Sequence, residues 1–235
     1  KSLDFIIDNC LDGSELFHAW KNDKPYQTAF LDDYATVIQA LINLYQCNFN
    51  EGYLYTAEAL TNYVIENFYD QAEGFFYFAQ ANKELIARKK EIFDNVIPAS
   101  NSIMAHNLYW LGLLLEKESF IEISTSMVGK VTNALQADIS FMSNWAQLYQ
   151  AMATTTVEIA IVGENAMDLV KELDQHYIPN KVVCASTSSS NLPLLAHRYV
   201  ENQTLIYVCY NKTCQKPVHT VAEALADINN LINQR

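Results

Sequence analysis

The sequence is short of cations. Its 15 lysines and arginines stand against 27 acids, a net charge of −12. A surface of that sign repels phosphate backbones and anionic headgroups, so nucleic acid is not an expected partner. The chain also lacks any run of about 20 apolar residues, the length a membrane span needs, and any basic-then-apolar opening like that of a signal peptide. No membrane partner is expected, and a cytoplasmic setting is the default. Because the chain opens on Lys1 rather than methionine, processing or truncation is expected to have removed an upstream part. No paired CxxC motifs suggest zinc, and "VEIAIVG" ends on a single glycine without the GxGxxG of a dinucleotide fingerprint. No cofactor is expected. The cysteines, Cys10, Cys47, Cys184, Cys209 and Cys214, are odd in number and widely spaced, which argues against a disulfide framework. Cys209 and Cys214, within "CYNKTC", are the only close pair. They are read as free thiols packed as small hydrophobes, and a redox role would rest on that pair alone.

What the chain does have is apolar mass: half of its 235 residues are hydrophobic, enough for a sizeable core. The first two thirds show helical spacing. In "TAFLDDYATVIQALINLYQ", Phe30, Tyr34, Val37, Leu41 and Leu44 recur on one stripe, with Thr28 as the expected N-cap. "EGYLYTAEALTNYVIENF" repeats the pattern, and the two helices are expected to form a hairpin. "EGFFYFA" is a short extended piece. A second hairpin is expected from Ser102 to Lys117 and from about Phe120 to Leu135. The leading helices superimpose at an offset of 70 positions, Tyr34 onto Met104, Ile38 onto Leu108 and Leu41 onto Leu111, an internal repeat. "DISFMSNWAQLYQAMA" supplies a further helix. Near Thr154 the pattern changes to short buried strands alternating with helices. The expected division is therefore a helical part, residues 1–152, and a small α/β subdomain, residues 153–235.

Several stretches in order, "FLDDYATVIQALINLYQ", "EGFFYFA", "ARKKEIFDNVIPASNSIMAHN" and "YVCYNKTCQKPV", resemble the C-terminal part of the thioredoxin-domain proteins related to spermatogenesis-associated protein 20. The helical region is similar to the N-acylglucosamine 2-epimerases and other six-hairpin (α/α) toroid enzymes of sugar chemistry. The resemblance implies a mainly α fold, a partial (α/α) toroid of helical hairpins with a small C-terminal α/β subdomain. It also implies a thioredoxin-like domain upstream and a small polar or sugar-like ligand. About 150 helical residues supply roughly three hairpins of the ring at this repeat length. The family's Gly-Gly before the Phe pair is here Glu73-Gly74, and "PASNS" replaces its Pro-Ser-Gly-Asn-Ser.

Toroids bind ligands where inner helices begin, because free N–H groups and the positive dipole end gather there. At the first such start, about 100° per residue places Asp33 toward a cavity and Asp32 on the other side. Both also complement the helix dipole. At the second, Pro98 suits the first turn, Ser100 or Asn101 is the expected cap, and Ser102, His106 and Tyr109 line one face at i, i+4 and i+7. Arg88 is expected to pair with Asp94, since a guanidinium fork matches carboxylates and sugar hydroxyls. Tyr34, Tyr77 and Trp110 offer stacking surface, and His18 in "ELFHAW" falls near the same mouth. Epimerisation or isomerisation needs an acid and a base, for which His106 and Asp33 are the candidates. Hydrolysis needs two carboxylates, for which Asp33 and Asp94 are the candidates. Asp33, Asp94 and His106 are thus the expected catalytic groups, with Tyr34, Arg88, Ser100, Asn101, Ser102 and Tyr109 expected to bind the ligand. The competing expectation is a non-catalytic helical scaffold that docks the thioredoxin-like domain or another protein. "CYNKTCQKPV" reads as a structural latch on the α/β unit.

Overall fold

A computed structural model of the chain describes residues 1–81 and 87–233. Contacts divide the chain into two compact units: residues 1–112 with 117–149, and residues 150 onward with 113–116.

The first unit is mainly helical. It opens with α1 (Ser2–Cys10), then a three-stranded antiparallel sheet of β1 (Leu11–Asp12), β2 (Glu15–Lys21) and β3 (Lys24–Thr28). Then follow α2 (Leu31–Asn48) and α3 (Glu51–Phe68), a two-stranded ribbon of β4 (Tyr69–Asp70) and β5 (Phe75–Phe76), and α4 (Ser100–Leu115) and α5 (Glu118–Ala137). The next helix, α6 (Ser143–Ala153), runs across the division between the units. Periodicity explains why α2 and α4 form where they do: Tyr34, Ile38, Leu41, Met104, Leu108 and Leu111 are all fully buried. The N-cap of α2 differs from the expected one. Thr28 ends β3, and the helix is entered through Phe30, whose N–H is accepted by the Asp33 carboxylate at 2.9 Å. The helix ends on Phe49 in the left-handed region (φ 56°), its N–H closing on Tyr45 O at 2.7 Å. Asn50 then caps α3 through the Gly52 N–H. The two leading helices touch directly, since buried Asn107 on α4 donates to Ala35 O on α2 at 2.7 Å. On α5, Ser124 donates to Ala105 O of α4 at 2.7 Å.

The second unit holds β6 (Val157–Val162), α7 (Ala166–Leu173), β7 (Lys181–Ser186), β8 (Leu205–Tyr210), β9 (Thr213–Cys214) and α8 (Val221–Asn233). Its sheet has the order β7-β6-β8-β9, with β6 and β7 parallel and the remaining pairs antiparallel. Every residue of β6 is buried, which is why its sequence, Glu158 apart, reads as an apolar run rather than an alternation. The expectation of free thiols at Cys209 and Cys214 is overturned: they stand opposite each other on β8 and β9 and are joined as a disulfide. Two positive-φ residues, Asn211 and Lys212, make the two-residue turn that sets them in register. Spacing marked the two only as the one close pair, and an odd, scattered set of cysteines hid the bridge because it closes one hairpin and needs no framework of further cysteines.

Candidate functional site

The groups expected to share one hollow fall into three clusters in the first unit. The first lies at the start of α2. Asp33, in the opening turn, accepts the Phe30 N–H and, through the same oxygen, the His18 Nδ1–H at 2.8 Å from β2. Its own N–H is accepted by Asp32 Oδ1 at 3.1 Å. Phe30 stacks on Phe78 with centroids 5.1 Å apart, His18 meets the Phe30 edge at 5.5 Å, and Lys89 Nζ lies 5.0 Å over Phe78. Burial pushes the Asp32 carboxyl above the ordinary carboxylate range, and the charges of Asp33 and Glu91 add to the effect. The hydrogen bond and charge of Asp33 push the His18 imidazole up. The result is a short row of half-buried acids and an imidazole beside an aromatic face.

That pair has a pH signature. His18 is charged more readily folded than unfolded, so its contribution is complete below about pH 6.5 and is lost as the pH rises through the raised folded value. The imidazole is 43% exposed and screened, so the effect stays under about 1 kcal/mol. Denaturant titrations at pH 6 and pH 8.5 should show this loss in the wild type and not in His18→Ala.

The second cluster ties the start of α4 to that of α6. Asp94 Oδ1 accepts the Ala99 N–H at 2.9 Å and faces Ser102 Oγ at 3.0 Å, and Asp94 Oδ2 accepts the Asn144 N–H at 2.9 Å. Ser102 Oγ also lies 2.9 Å from Ala99 O, with one proton to give to either acceptor, and accepts from Asn144 Nδ2 at 2.9 Å. His106 donates from Nε2 to Asn144 O at 2.8 Å, and burial holds its pKa below the usual value, so the ring is neutral near pH 7. Asn101 bonds both backbone groups of Phe76 and the Glu91 carbonyl. Trp145 donates from Nε1 to Ile92 O at 2.7 Å. Asp94 and His106 therefore do belong to one network, through Asn144. Their hydrogen bonds go to this chain's own groups.

The third cluster holds Arg88. The expected pair with Asp94 is not among the ion pairs of the described residues. Instead the guanidinium stacks 3.8 Å over Tyr77 and donates from Nε to Ala79 O at 3.1 Å. Tyr77 is thereby covered, and its hydroxyl goes to Asp70 at 2.8 Å, where Lys90 also bonds at 2.5 Å. Lys90 and the Tyr77 hydroxyl hold the Asp70 carboxyl well below the usual range. Tyr34 is no rim residue: it is fully buried, with its oxygen accepting the Leu16 N–H at 2.8 Å. Ser100 is buried as well, and on the face at i, i+4 and i+7 Ser102 and Tyr109 are buried and His106 half-buried, with Tyr109 edge-on to Trp110 at 5.0 Å, so that face is largely covered by protein.

Sequence reasoning undervalued Asp32, His18, Phe30 and Phe78. A phenylalanine two residues before the acid pair, Phe30 ahead of Asp32 and Asp33, was the available signal. His18 and Phe78 come from strand and loop positions that helical periodicity does not reach. Among the described residues, no group of three or more His, Cys, Asp or Glu side chains is placed to hold a metal ion, and no helix is long and apolar enough to cross a membrane.

No family model matches the chain. Among curated proteins it is similar to spermatogenesis-associated protein 20 from Homo sapiens, 28% identical over 84% of this chain. The Rattus norvegicus and Mus musculus counterparts are 28% and 27% identical, each over 80% of it. The chain spans about a quarter of the length of these relatives, 27% of the human protein and 26% of each rodent one.

Proposed function

We propose that the chain is a member of the spermatogenesis-associated protein 20 family, and that its helical unit is part of an (α/α) toroid binding a sugar-like polar ligand at the start of α2. The observation that carries this reading is the juxtaposition of Asp32, Asp33 and His18 with the Phe30–Phe78 stack. Carboxylates accept sugar hydroxyls, while an aromatic face takes the apolar side of a pyranose ring. An acid biased toward its neutral form beside an imidazole–carboxylate pair is also the equipment for proton transfer at a sugar carbon, as in epimerisation or isomerisation. Hydrolysis by Asp33 with Asp94 has less support, since Asp94 is occupied by Ala99, Ser102 and Asn144.

A panel of aldoses, ketoses and amino sugars, screened by thermal shift and then calorimetry, tests the reading. Wild type should bind at least one class. Phe78→Ala and Asp33→Asn should weaken that binding at least tenfold, the loss of about 1.4 kcal/mol expected from one good contact. Silence across the panel sinks it. The second reading, a scaffold docking a thioredoxin-like domain or another protein, is favoured by the inward-directed hydrogen bonds of Asp94, Asn101 and His106. It would then stand alone.

A further inference from the structure

The Cys209–Cys214 bridge has a neighbour that a structural staple does not call for. Arg198 Nη1 lies 3.3 Å from Cys209 Sγ and Nη2 lies 3.1 Å from Cys214 Sγ, one arm of the guanidinium for each sulfur. The fork is held there by the Tyr207 ring, 4.9 Å from it, and by the Tyr207 hydroxyl, which donates to Arg198 O at 3.3 Å. No carboxylate forms an ion pair with Arg198 among the described residues. A disulfide sulfur is neutral and a weak acceptor, so a half-buried guanidinium gains little from it. Against a thiolate the same geometry is a charge-assisted contact, and it lowers the pKa of the thiol. The bridge also closes a loop already closed by a two-residue turn, and short loops gain least from a crosslink. The two sulfurs differ in access, with Cys209 fully buried and Cys214 partly exposed.

We propose that Cys209–Cys214 is a redox-active disulfide reduced by a dithiol, with Arg198 stabilising the thiolate of Cys209 as it leaves. One thiolate of the reductant attacks Cys214 Sγ, the accessible sulfur. The Cys209–Cys214 bond breaks, and its electron pair stays on Cys209 Sγ beside Nη1. The second thiol of the reductant loses its proton and attacks the reductant's own sulfur in the mixed disulfide, so that Cys214 leaves as a thiolate beside Nη2. The reductant ends as a disulfide. Two electrons pass to the cysteines, and the two protons released by the dithiol balance the two thiols formed. A leaving thiol of low pKa departs faster. The charged and titratable groups around the pair are Arg198 itself, Tyr207, Lys212 in the turn, and Glu158. Glu158 stands opposite Cys209 on β6 with its carboxylate accepting the Lys212 N–H at 3.3 Å. This site lies in the second unit and does not depend on the ligand reading above.

The test uses the full chain with Cys47→Ser, because Cys47 is an exposed free thiol. Oxidised protein is treated with dithiothreitol under native conditions, and the cysteines are followed by alkylation and mass spectrometry, with circular dichroism reporting the fold. Reduction without unfolding, with Cys214 alkylated before Cys209, is the expected result. Arg198→Gln should slow reduction about tenfold while Arg198→Lys keeps most of the rate. A bridge that survives excess dithiothreitol until the chain unfolds overturns the proposal, and so does an unchanged rate in Arg198→Gln. Should that variant fail to fold, the pH profile of alkylation of the reduced wild type decides. A Cys209 thiol that titrates at or above the ordinary value of about 8.5 overturns the idea, and a lower value supports it.

Discussion

Replacing Asp94 by alanine is expected to lower the stability of the helical unit by about 3 kcal/mol, with a fall of about 6 to 12 °C in Tm. The carboxylate is 6% exposed and holds the Ala99 and Asn144 N–H groups, the donors at the entrances to α4 and α6. Alanine offers no acceptor, and the segment is too enclosed for water to replace both oxygens cheaply. Each buried donor left unmade costs about 1 to 3 kcal/mol. Asparagine at the same position keeps an acceptor for Ala99 and Ser102 but sets an amide N–H₂ against the Asn144 N–H, so an intermediate loss is expected. Thermal denaturation followed by circular dichroism reads both variants. A fall under 2 °C in Asp94→Ala would mean that the two helix entrances are held by packing alone. The measurement also bears on the functional assignment, since a carboxylate whose removal destabilises the unit this far has a structural task to perform before any chemistry.

The second large effect lies at Gly163, where β6 turns toward α7. Its φ is +133°, a conformation L side chains rarely adopt, and an added Cβ would sit 2.2 Å from Gln203 O and 2.6 Å from Thr204 Cα. Both are backbone atoms leading into β8, the strand paired to β6, so relief requires the sheet itself to move. Gly163→Ala should therefore cost about 3 kcal/mol, from backbone strain and overpacking together. Gly129 supplies the contrast. It is an exposed position inside α5 with nothing within 4 Å of an added Cβ. Gly129→Ala should stabilise by about 0.5 to 1 kcal/mol through helix propensity alone. Equilibrium denaturation of the two variants side by side reads the difference, and a Gly163→Ala variant as stable as wild type would mean that the turn has room the geometry denies.

The helices were legible because their signal is local. Tyr34, Ile38 and Leu41 repeat at Met104, Leu108 and Leu111, and burial of one stripe fixes both the helix and the face it presents. The strands of the second unit were legible for the same reason, as short apolar runs between turns. Which polar side chains meet was a different matter. Helical-wheel geometry put Ser102, His106 and Tyr109 on one face, but it had no means of knowing that Asp94 and Asn144 would take up the hydrogen bonds of Ser102 and His106. Arg88 and Asp94 are six residues apart and oppositely charged, yet an aromatic ring at Tyr77 captured one and helix entrances captured the other.

By itself the sequence determined the apolar periodicity, the repeated leading helices, the change of character near residue 153 and the acidic charge, since each depends on residues within a few turns of one another. Only the tertiary structure decided that His18 belongs to Asp33, that Asp94 belongs to Asn144 fifty positions on, and that Arg198 reaches both sulfurs of a bridge eleven and sixteen positions away. A hydrogen bond is satisfied by whichever partner the packed backbone brings within about 3 Å, and that choice is made by chain paths whose direction no local pattern encodes.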